Sequence, residues 1–140
     1  MNTGKRRDFL KTSATGLGGT MLLSALPASA KVIGANDRIR VGAIGTGGRM
    51  RGLLNHVKNN SDAEIVALCD VYQPNVERAA STLNLSNAKQ LKDYRAVLDD
   101  KNIDAVIIAT PDHWHVKITS DAVAAGKDVY VEKPITHTLE

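Results

Sequence analysis

The segment that most limits the fold of this chain is a β-branched apolar run followed by a cluster of glycines. Residues 38–48 read Arg-Ile-Arg-Val-Gly-Ala-Ile-Gly-Thr-Gly-Gly, and apolar residues then recur at helical spacing over 48–58. This pattern predicts a strand, a tight turn and an amphipathic helix. Glycines at Gly45 and Gly47 permit positive φ and a close backbone approach, while the free N–H groups of the helix start attract an anion such as a pyrophosphate. The segment therefore has the local structure that a dinucleotide-binding turn requires.

The turn departs from the strict glycine fingerprint at its third position, where Met50 stands. We expect its side chain to hold the helix slightly away from the strand. A second strand, over 64–69, ends at Asp70, which follows Gly45 by 25 residues, near the usual spacing of about 20. An acid there accepts hydrogen bonds from ribose hydroxyls and repels a 2′-phosphate, so Asp70 favours NAD over NADP. The alternative, which is compatible with that role, is that Asp70 caps the next helix.

The rest of the chain repeats the alternation of strand and helix. The expected elements are a helix over 73–85, a short extended piece over 88–91, a helix over 94–99 capped by Asp93, a strand over 103–109, a helix from about 116 to 125 closed by Gly126, and a strand over 128–132. This order predicts an α/β fold of the Rossmann type, a doubly wound parallel sheet whose ligands bind beyond the carboxyl ends of the strands.

Residues 1–30 resemble an export signal. They carry four basic side chains against one acidic, which is the whole surplus behind the net charge of +3, so the remaining chain is balanced. A short apolar stretch interrupted by glycines leads to Pro27-Ala28-Ser29-Ala30, a small-residue cleavage site, and this stretch is too short to span a hydrocarbon core of about 30 Å. The run Arg6-Arg7-Asp8-Phe9-Leu10-Lys11 resembles a twin-arginine signal.

We therefore predict a signal peptide over 1–30, cleaved after Ala30, and a folded domain over 31–140. The predicted location is periplasmic or otherwise extracytoplasmic. An amphipathic N-terminal helix or an uncleaved anchor is the alternative. With the signal set aside, no basic patch is left to bind nucleic acid, the four remaining aromatic residues are too scattered to stack bases, and no stable membrane insertion is expected.

Four segments stand in an order and spacing that one protein family shares. They are 41–48, Asp93-Tyr94-Arg95, 104–115 (Asp-Ala-Val-Ile-Ile-Ala-Thr-Pro-Asp-His-Trp-His) and 125–134 (Ala-Gly-Lys-Asp-Val-Tyr-Val-Glu-Lys-Pro). With them the chain resembles the Gfo/Idh/MocA family, which includes glucose-fructose oxidoreductase and inositol dehydrogenase, over about 37–140. The resemblance implies a Rossmann-type domain that binds the dinucleotide NAD, with NADP possible.

The same resemblance implies roles for the residues that follow the last two long strands. Glu132-Lys133-Pro134 is expected beside the nicotinamide, with a cis bond before Pro134. Lys133 is the implied catalytic residue, a cation that orients the substrate hydroxyl and stabilises developing negative charge. Thr110-Pro111 is expected under the riboses, and His115 at the start of the next helix. The candidate cofactor-binding residues are Gly45, Thr46, Gly47, Gly48, Arg49, Asp70, Thr110, Pro111, His115, Glu132, Lys133 and Pro134.

A metal site is not predicted. His113 and His115 alternate on a loop, which rarely gives two ligands of suitable geometry, and no cluster of Cys, Asp or Glu completes such a site. Cys69 is the sole cysteine, which excludes an internal disulfide, and we expect it to be a buried strand residue.

The resemblance implies an oxidoreductase that transfers a hydride between nicotinamide and a sugar or polyol hydroxyl. The family's second domain, an α+β unit with an open antiparallel sheet that supplies the substrate pocket and a catalytic His, has no counterpart in the 140 residues. We therefore expect a truncated chain that is inactive alone, with its oligomeric state open. Two alternatives are an NAD-dependent N-acetylgalactosaminidase of the same fold, which recycles its cofactor between oxidised and reduced forms, and a non-catalytic exported nucleotide-binding module.

Overall fold

The computed structural model describes residues 38–136, so the predicted signal peptide lies outside the described residues. Within them, five strands alternate with four helices and a 3₁₀ turn at Asp112–Trp114, which confirms the predicted α/β fold. The strands are β1 (Ile39–Ile44), β2 (Ala63–Cys69), β3 (Lys89–Leu91), β4 (Ala105–Ile108) and β5 (Asp128–Val131), and the helices are α1 (Gly48–Lys58), α2 (Gln73–Thr82), α3 (Tyr94–Asp99) and α4 (His115–Ala124).

The strands form one parallel sheet in the order β3-β2-β1-β4-β5. Ile44, the last residue of β1, is level with Cys69 on β2 and with Ile108 on β4, so three strands end at one edge. The chain builds outward from β1 to β3 and then crosses to β4, which makes the gap between β1 and β4 the point where the strand order reverses. Ligands of open α/β sheets bind in the crevice at such a point. The glycine turn after β1 opens directly into it.

Helices cover both faces of the sheet. Met50, Leu54 and Val76 from α1 and α2 are fully buried in one apolar cluster, whereas Val97 and Ile118 from α3 and α4 are buried in the other. Burial of side chains of this size contributes about 1.5–3 kcal/mol each. Met50 occupies the position of the missing third glycine, and its complete burial shows that this position serves the core.

Helix α3 packs against β1 so closely that the strand needs a glycine there. A Cβ atom at Gly42 would lie 2.7 Å from Cγ1 of Val97 and 3.4 Å from two side-chain atoms of Ile103. The absence of a side chain at Gly42 therefore sets how near α3 comes to the sheet.

Two helices end in the same way, with a left-handed residue just after the cap. Helix α2 is shorter than the predicted 73–85 because Asn84 takes φ 53° and the N–H of Leu85 donates to the carbonyl of Ala80 at 2.8 Å. Helix α4 ends with Gly126 at φ 74° and the corresponding bond from Lys127 to Ala122 at 3.0 Å, as its glycine predicted. Both are Schellman motifs, in which Gly and Asn are the favoured residues.

Lys127 holds two backbone carbonyls at the amino end of the sheet. Its Nζ donates to the carbonyl oxygens of Asp100, at 2.7 Å, and Ile103, at 2.8 Å. The residue is buried, and desolvation of the ammonium lowers the pKa of Lys127 below its ordinary value. These bonds fasten the turn between α3 and β4 to the start of β5.

Candidate dinucleotide-binding site

A cavity of about 810 Å³ lies at the carboxyl edge of the sheet. Its walls come from the ends of β1, β2 and β4 and from the segment after β3. Its volume falls within the range of about 300–1,000 Å³ that small-molecule sites occupy. The predicted cofactor-binding residues that line it are Gly45, Gly47, Gly48, Arg49, Asp70, Thr110 and Pro111.

The two turn glycines are required for different reasons. Gly45 has φ 84°, and a Cβ there would lie 2.7 Å from the backbone nitrogen of Thr110, so it allows β1 and β4 to run close together. Gly47 is the N-cap of α1 in extended conformation, and a Cβ there would meet no atom within 4 Å. The space over Gly47 is therefore open to a ligand, and the first-turn N–H groups of α1 without intrahelical acceptors lie next to it.

Asp70 is held in place by three N–H donors. Its Oδ2 accepts hydrogen bonds from the backbone N–H of Thr46 at 2.8 Å and from Nδ2 of Asn75 at 3.2 Å, and its Oδ1 accepts one from the backbone N–H of Tyr72 at 2.9 Å. The hydroxyl of Thr46 is a further, long donor to Oδ2 at 3.5 Å. Oδ1 accepts only the bond from Tyr72, so one of its two acceptor positions remains for a ribose hydroxyl. The alternative role as N-cap is wrong, because the N-cap of α2 is Tyr72.

Thr46, within the glycine turn, is fully buried. Its N–H is the donor that joins the glycine turn to Asp70, so the end of β2 fixes the shape of the turn after β1. Thr110, across the crevice, has a buried Oγ1 that finds no hydrogen-bond partner within residues 38–136. That oxygen is closed off from solvent, so Thr110 lines the cavity through its other atoms.

His115 joins the segments that follow β4 and β5. It begins α4, as predicted, and it is buried, with Nε2 2.8 Å from the carbonyl oxygen of Thr110 and Nδ1 2.6 Å from that of Pro134. The peptide bond between Lys133 and Pro134 is cis, as the resemblance implied. His115 therefore lies behind the cavity wall and positions the two segments, rather than lining the cavity itself.

Glu132 is connected to the glycine turn by an ion pair. Nη2 of Arg49, in the first turn of α1, donates to Oε1 of Glu132 at 2.7 Å, and the hydroxyl of Tyr130 donates to the same oxygen at 3.1 Å. The hydrogen bond from Arg49 lowers the pKa of Glu132 below its ordinary value, so the carboxylate is charged at neutral pH. The pair spans the side of the site that faces β5.

Lys133 follows Glu132 and is exposed. It lies outside the residues that line the cavity, as do Thr46, His115, Glu132 and Pro134.

Within residues 38–136, no group of three or more His, Cys, Asp or Glu side chains could hold a metal ion. No helix in that part of the chain has the length and apolarity to cross a membrane. Cys69 is buried, as predicted, and burial raises the pKa of its thiol to about 12.

The sequence reasoning missed one wall of the cavity, which comes mainly from the residues that follow β2 and β3. The segment Asp93-Tyr94-Arg95 carries part of the family resemblance but has no predicted site role. Asp93 is predicted as a helix cap, which the hydrogen bond that it accepts from the N–H of Arg95 confirms. The rule that ligands bind beyond strand ends could have identified this wall. The lining residues without a predicted site role are Ile44, Cys69, Val71, Asn75, Lys92, Asp93, Tyr94, Arg95, Ala109, Trp114 and Ile118.

These features define a class of protein. A glycine turn at the reversal point of a parallel sheet, open space above Gly47 and an anchored acid at the end of β2 fit a dinucleotide, and they make this a Rossmann-type dinucleotide-binding domain. Residues 39–140 match the family model GFO_IDH_MocA, described as an oxidoreductase family with an NAD-binding Rossmann fold. The chain belongs to the Gfo/Idh/MocA family.

Several curated and solved proteins are similar to the chain. A glycosyl hydrolase family 109 protein 2 from Shewanella sp. (strain ANA-3) is 32% identical over 96% of this chain and 34% of its own length. A glycosyl hydrolase family 109 protein from Parabacteroides distasonis is 34% identical over 96% of this chain and 33% of its own length. The chain thus spans about a third of the length of the curated relatives it matches.

The solved structures extend the comparison to proteins with bound cofactors. Myo-inositol dehydrogenase from Lactobacillus casei, in complex with NAD(H) and myo-inositol, is 33% identical, with a TM-score of 0.69 over 73% of this chain and 30% of its own. KijD10, a 3-ketoreductase from Actinomadura kijaniata in complex with NADP and TDP-benzene, is 27% identical, with a TM-score of 0.65 over 71% of this chain and 31% of its own.

Proposed function

We propose that this chain is the NAD(P)-binding portion of an exported oxidoreductase that transfers a hydride between nicotinamide and a sugar or polyol hydroxyl. The observation that supports it most is the joint placement of Gly47, open to a ligand, and Asp70, anchored with spare acceptor capacity, at the reversal point of the sheet. The similarity to a myo-inositol dehydrogenase favours a polyol substrate.

The topology orients the cofactor in this proposal. Asp70, at the end of β2, would bind the adenosine ribose, and the N–H groups at the start of α1 would bind the pyrophosphate. The nicotinamide half would then extend toward β4 and β5. When bound, nicotinamide supplies the hydride acceptor or donor. Lys133, which directly follows the Glu132 pair at the end of β5, would orient the substrate hydroxyl and stabilise its developing negative charge.

Isothermal titration calorimetry of the 140-residue chain with NAD and NADP tests the binding function. We expect NAD to bind more tightly than NADP, because the charged Asp70 repels a 2′-phosphate. Asp70→Asn should lower the affinity for NAD more than the affinity for NADP, so that the two affinities become more nearly equal. Asp62→Asn, which changes an exposed acid at the opposite edge of the sheet, is the matched control. Failure of the unchanged chain to bind either dinucleotide at millimolar concentration would refute the proposal.

The role of Lys133 needs a protein that carries this domain together with a substrate domain. In such a protein we expect Lys133→Met to lower kcat by about 100-fold or more, the usual contribution of a positioned acid–base group. The affinity for NAD should change little, since Lys133 lies outside the cavity lining. An unchanged kcat would remove Lys133 from the mechanism.

A second candidate function is NAD-dependent glycoside cleavage, which the similarity to the glycosyl hydrolase family 109 proteins favours. The two functions differ in what happens to the cofactor. A dehydrogenase accumulates NADH when it is supplied with NAD and a polyol, whereas a glycosidase that recycles its cofactor releases sugar from a nitrophenyl N-acetylgalactosaminide without net NADH. Measuring NADH and nitrophenol together on a protein with both domains separates them.

Export is part of the proposal and has its own test. Residues 1–30 would act as the twin-arginine signal and 31–140 as the start of the mature protein. Arg6→Lys with Arg7→Lys should leave the precursor in the cytoplasm, whereas Arg78→Lys, an exposed change on α2, should leave export intact. Normal export of the double variant would contradict the twin-arginine assignment.

A further inference from the structure

The ion pair between Arg49 and Glu132 joins two parts of the site that are distant in sequence. Glu132 is buried, while the side chain of Arg49 is 65% exposed. Their 2.7 Å contact fixes the guanidinium at the end of β5. The backbone of Arg49, however, belongs to the first turn of α1, next to the open space over Gly47. One cation is therefore within the first turn of α1, where a pyrophosphate would bind, but is paired with a carboxylate at the end of β5.

A guanidinium binds phosphate and carboxylate with the same planar fork of donors. A pyrophosphate at the start of α1 would therefore compete with Glu132 for Arg49. We propose, on the basis of the proposed function, that Glu132 is an internal competitor for Arg49 in the free domain. When the dinucleotide binds, its pyrophosphate replaces the carboxylate of Glu132 as the partner of the Arg49 guanidinium. Arg49 thereby selects nucleotides that carry a diphosphate bridge over nucleosides that lack one.

The surroundings of the pair allow this exchange. A pair with one partner largely exposed is weak, because water and salt screen it and the long side chain loses freedom in making it. Release of Arg49 also leaves Glu132 with a partner, since the hydroxyl of Tyr130 still donates to Oε1 at 3.1 Å. The buried carboxylate therefore keeps a hydrogen-bond donor when the guanidinium turns toward the ligand.

The proposal predicts opposite signs for two substitutions at one ion pair. Glu132→Gln keeps the shape of the side chain and the hydrogen bond from Tyr130 but removes the competing charge. It should therefore raise the affinity for ligands that carry a pyrophosphate. Arg49→Gln removes the cation that the ligand needs, so it should weaken them. If instead both residues held the cofactor jointly, both substitutions would weaken binding.

ADP-ribose is the probe for this test, because it carries the pyrophosphate and both riboses but no nicotinamide that Glu132 could contact directly. Calorimetry on the full chain should show that Glu132→Gln raises the affinity for ADP-ribose about two- to five-fold, the range that release of a partly exposed pair allows. Arg49→Gln should weaken it about ten-fold or more. Adenosine, which has no phosphate, should bind all three chains equally.

Lys89→Gln is the matched control. It breaks another partly exposed pair, between Nζ of Lys89 and Oδ2 of Asp100 at 2.6 Å, outside the cavity lining, and should leave ADP-ribose affinity unchanged. The guanidinium resonances of Arg49 in the unchanged chain give a readout that needs no variant, and they should shift on addition of ADP-ribose but not of adenosine.

The outcomes separate this inference from the proposed function. If the unchanged chain binds neither NAD nor ADP-ribose, the proposed function fails. If it binds both, but Glu132→Gln weakens ADP-ribose or leaves it unchanged, Glu132 is not a competitor and the inference is overturned. Arg49 resonances that stay fixed when ADP-ribose binds would overturn it as well.

Discussion

Replacing Gly47 by alanine separates the dinucleotide site from the stability of the fold. Gly47 has φ −64° and ψ −169°, a conformation open to any residue, and a Cβ there would meet no protein atom within 4 Å. The loss of glycine's freedom in the unfolded chain stabilises by about 0.4–1 kcal/mol, which offsets alanine's poorer performance as an N-cap. The free energy of unfolding of Gly47→Ala should therefore stay within about 1 kcal/mol of the unchanged chain.

Dinucleotide affinity should fall, because the added methyl group occupies the space that the pyrophosphate needs. Forcing a methyl group into a well-packed contact costs about 1–3 kcal/mol, which corresponds to a loss of about 5- to 150-fold in affinity for NAD. The assay is calorimetric titration with NAD, combined with urea unfolding followed by circular dichroism.

Two alanine substitutions in the same region serve as controls. Gly52 is exposed in the middle of α1 with nothing within 4 Å of its Cβ position, so Gly52→Ala should stabilise by about 1 kcal/mol and leave NAD affinity unchanged. Gly45→Ala should lower the free energy of unfolding by at least about 1–2 kcal/mol, because its φ of 84° disfavours a side chain and its Cβ would lie 2.7 Å from the nitrogen of Thr110. Unchanged NAD affinity in Gly47→Ala would refute the placement of the pyrophosphate at this turn.

Three further predictions concern the fold around the site. Gly42→Ala should unfold at lower urea because its Cβ would lie 2.7 Å from Val97, and Val97→Ala in the same chain should recover part of the loss. Lys127→Met should destabilise by about 1–3 kcal/mol in urea, since two buried carbonyls lose their donor, with NAD affinity unchanged. Arg49→Gln should reduce stability at neutral pH. Because Arg49 lowers the pKa of Glu132 in the folded state, that difference should be fully present above the ordinary value of 4.5 and should vanish as urea titrations move below the folded pKa.

The elements could be predicted from the sequence because each has a local signal. The apolar run of β1, the helical spacing of α1 and the glycine after α4 act within a few residues, and the structure places all three as predicted. The end of α2 was predicted three residues late. The left-handed residue there is Asn84, whose tolerance of positive φ is a weaker signal than that of a glycine.

The connections within the site could not be predicted in this way. The bond from Thr46 to Asp70 spans 24 residues and the pair of Arg49 and Glu132 spans 83, and both depend on which strands become neighbours. A list of residues at strand ends places the members of a site at one edge of the sheet. It does not say which side chains are already bonded to each other before a ligand arrives, and those bonds decide how the site responds.

The two ends of the cavity respond differently for this reason. Asp70 is held by two backbone N–H groups and one side-chain amide, so its carboxylate is already in place for a ribose. At the other end, the cation that the pyrophosphate needs is bonded to Glu132 and has to be released. A preformed contact loses little freedom on binding, whereas an exchanged one must first be broken. We therefore expect the adenosine half to contribute most of the initial affinity and the Arg49 exchange to follow it, so that Glu132→Gln should change the affinity for ADP-ribose while leaving that for adenosine as it is.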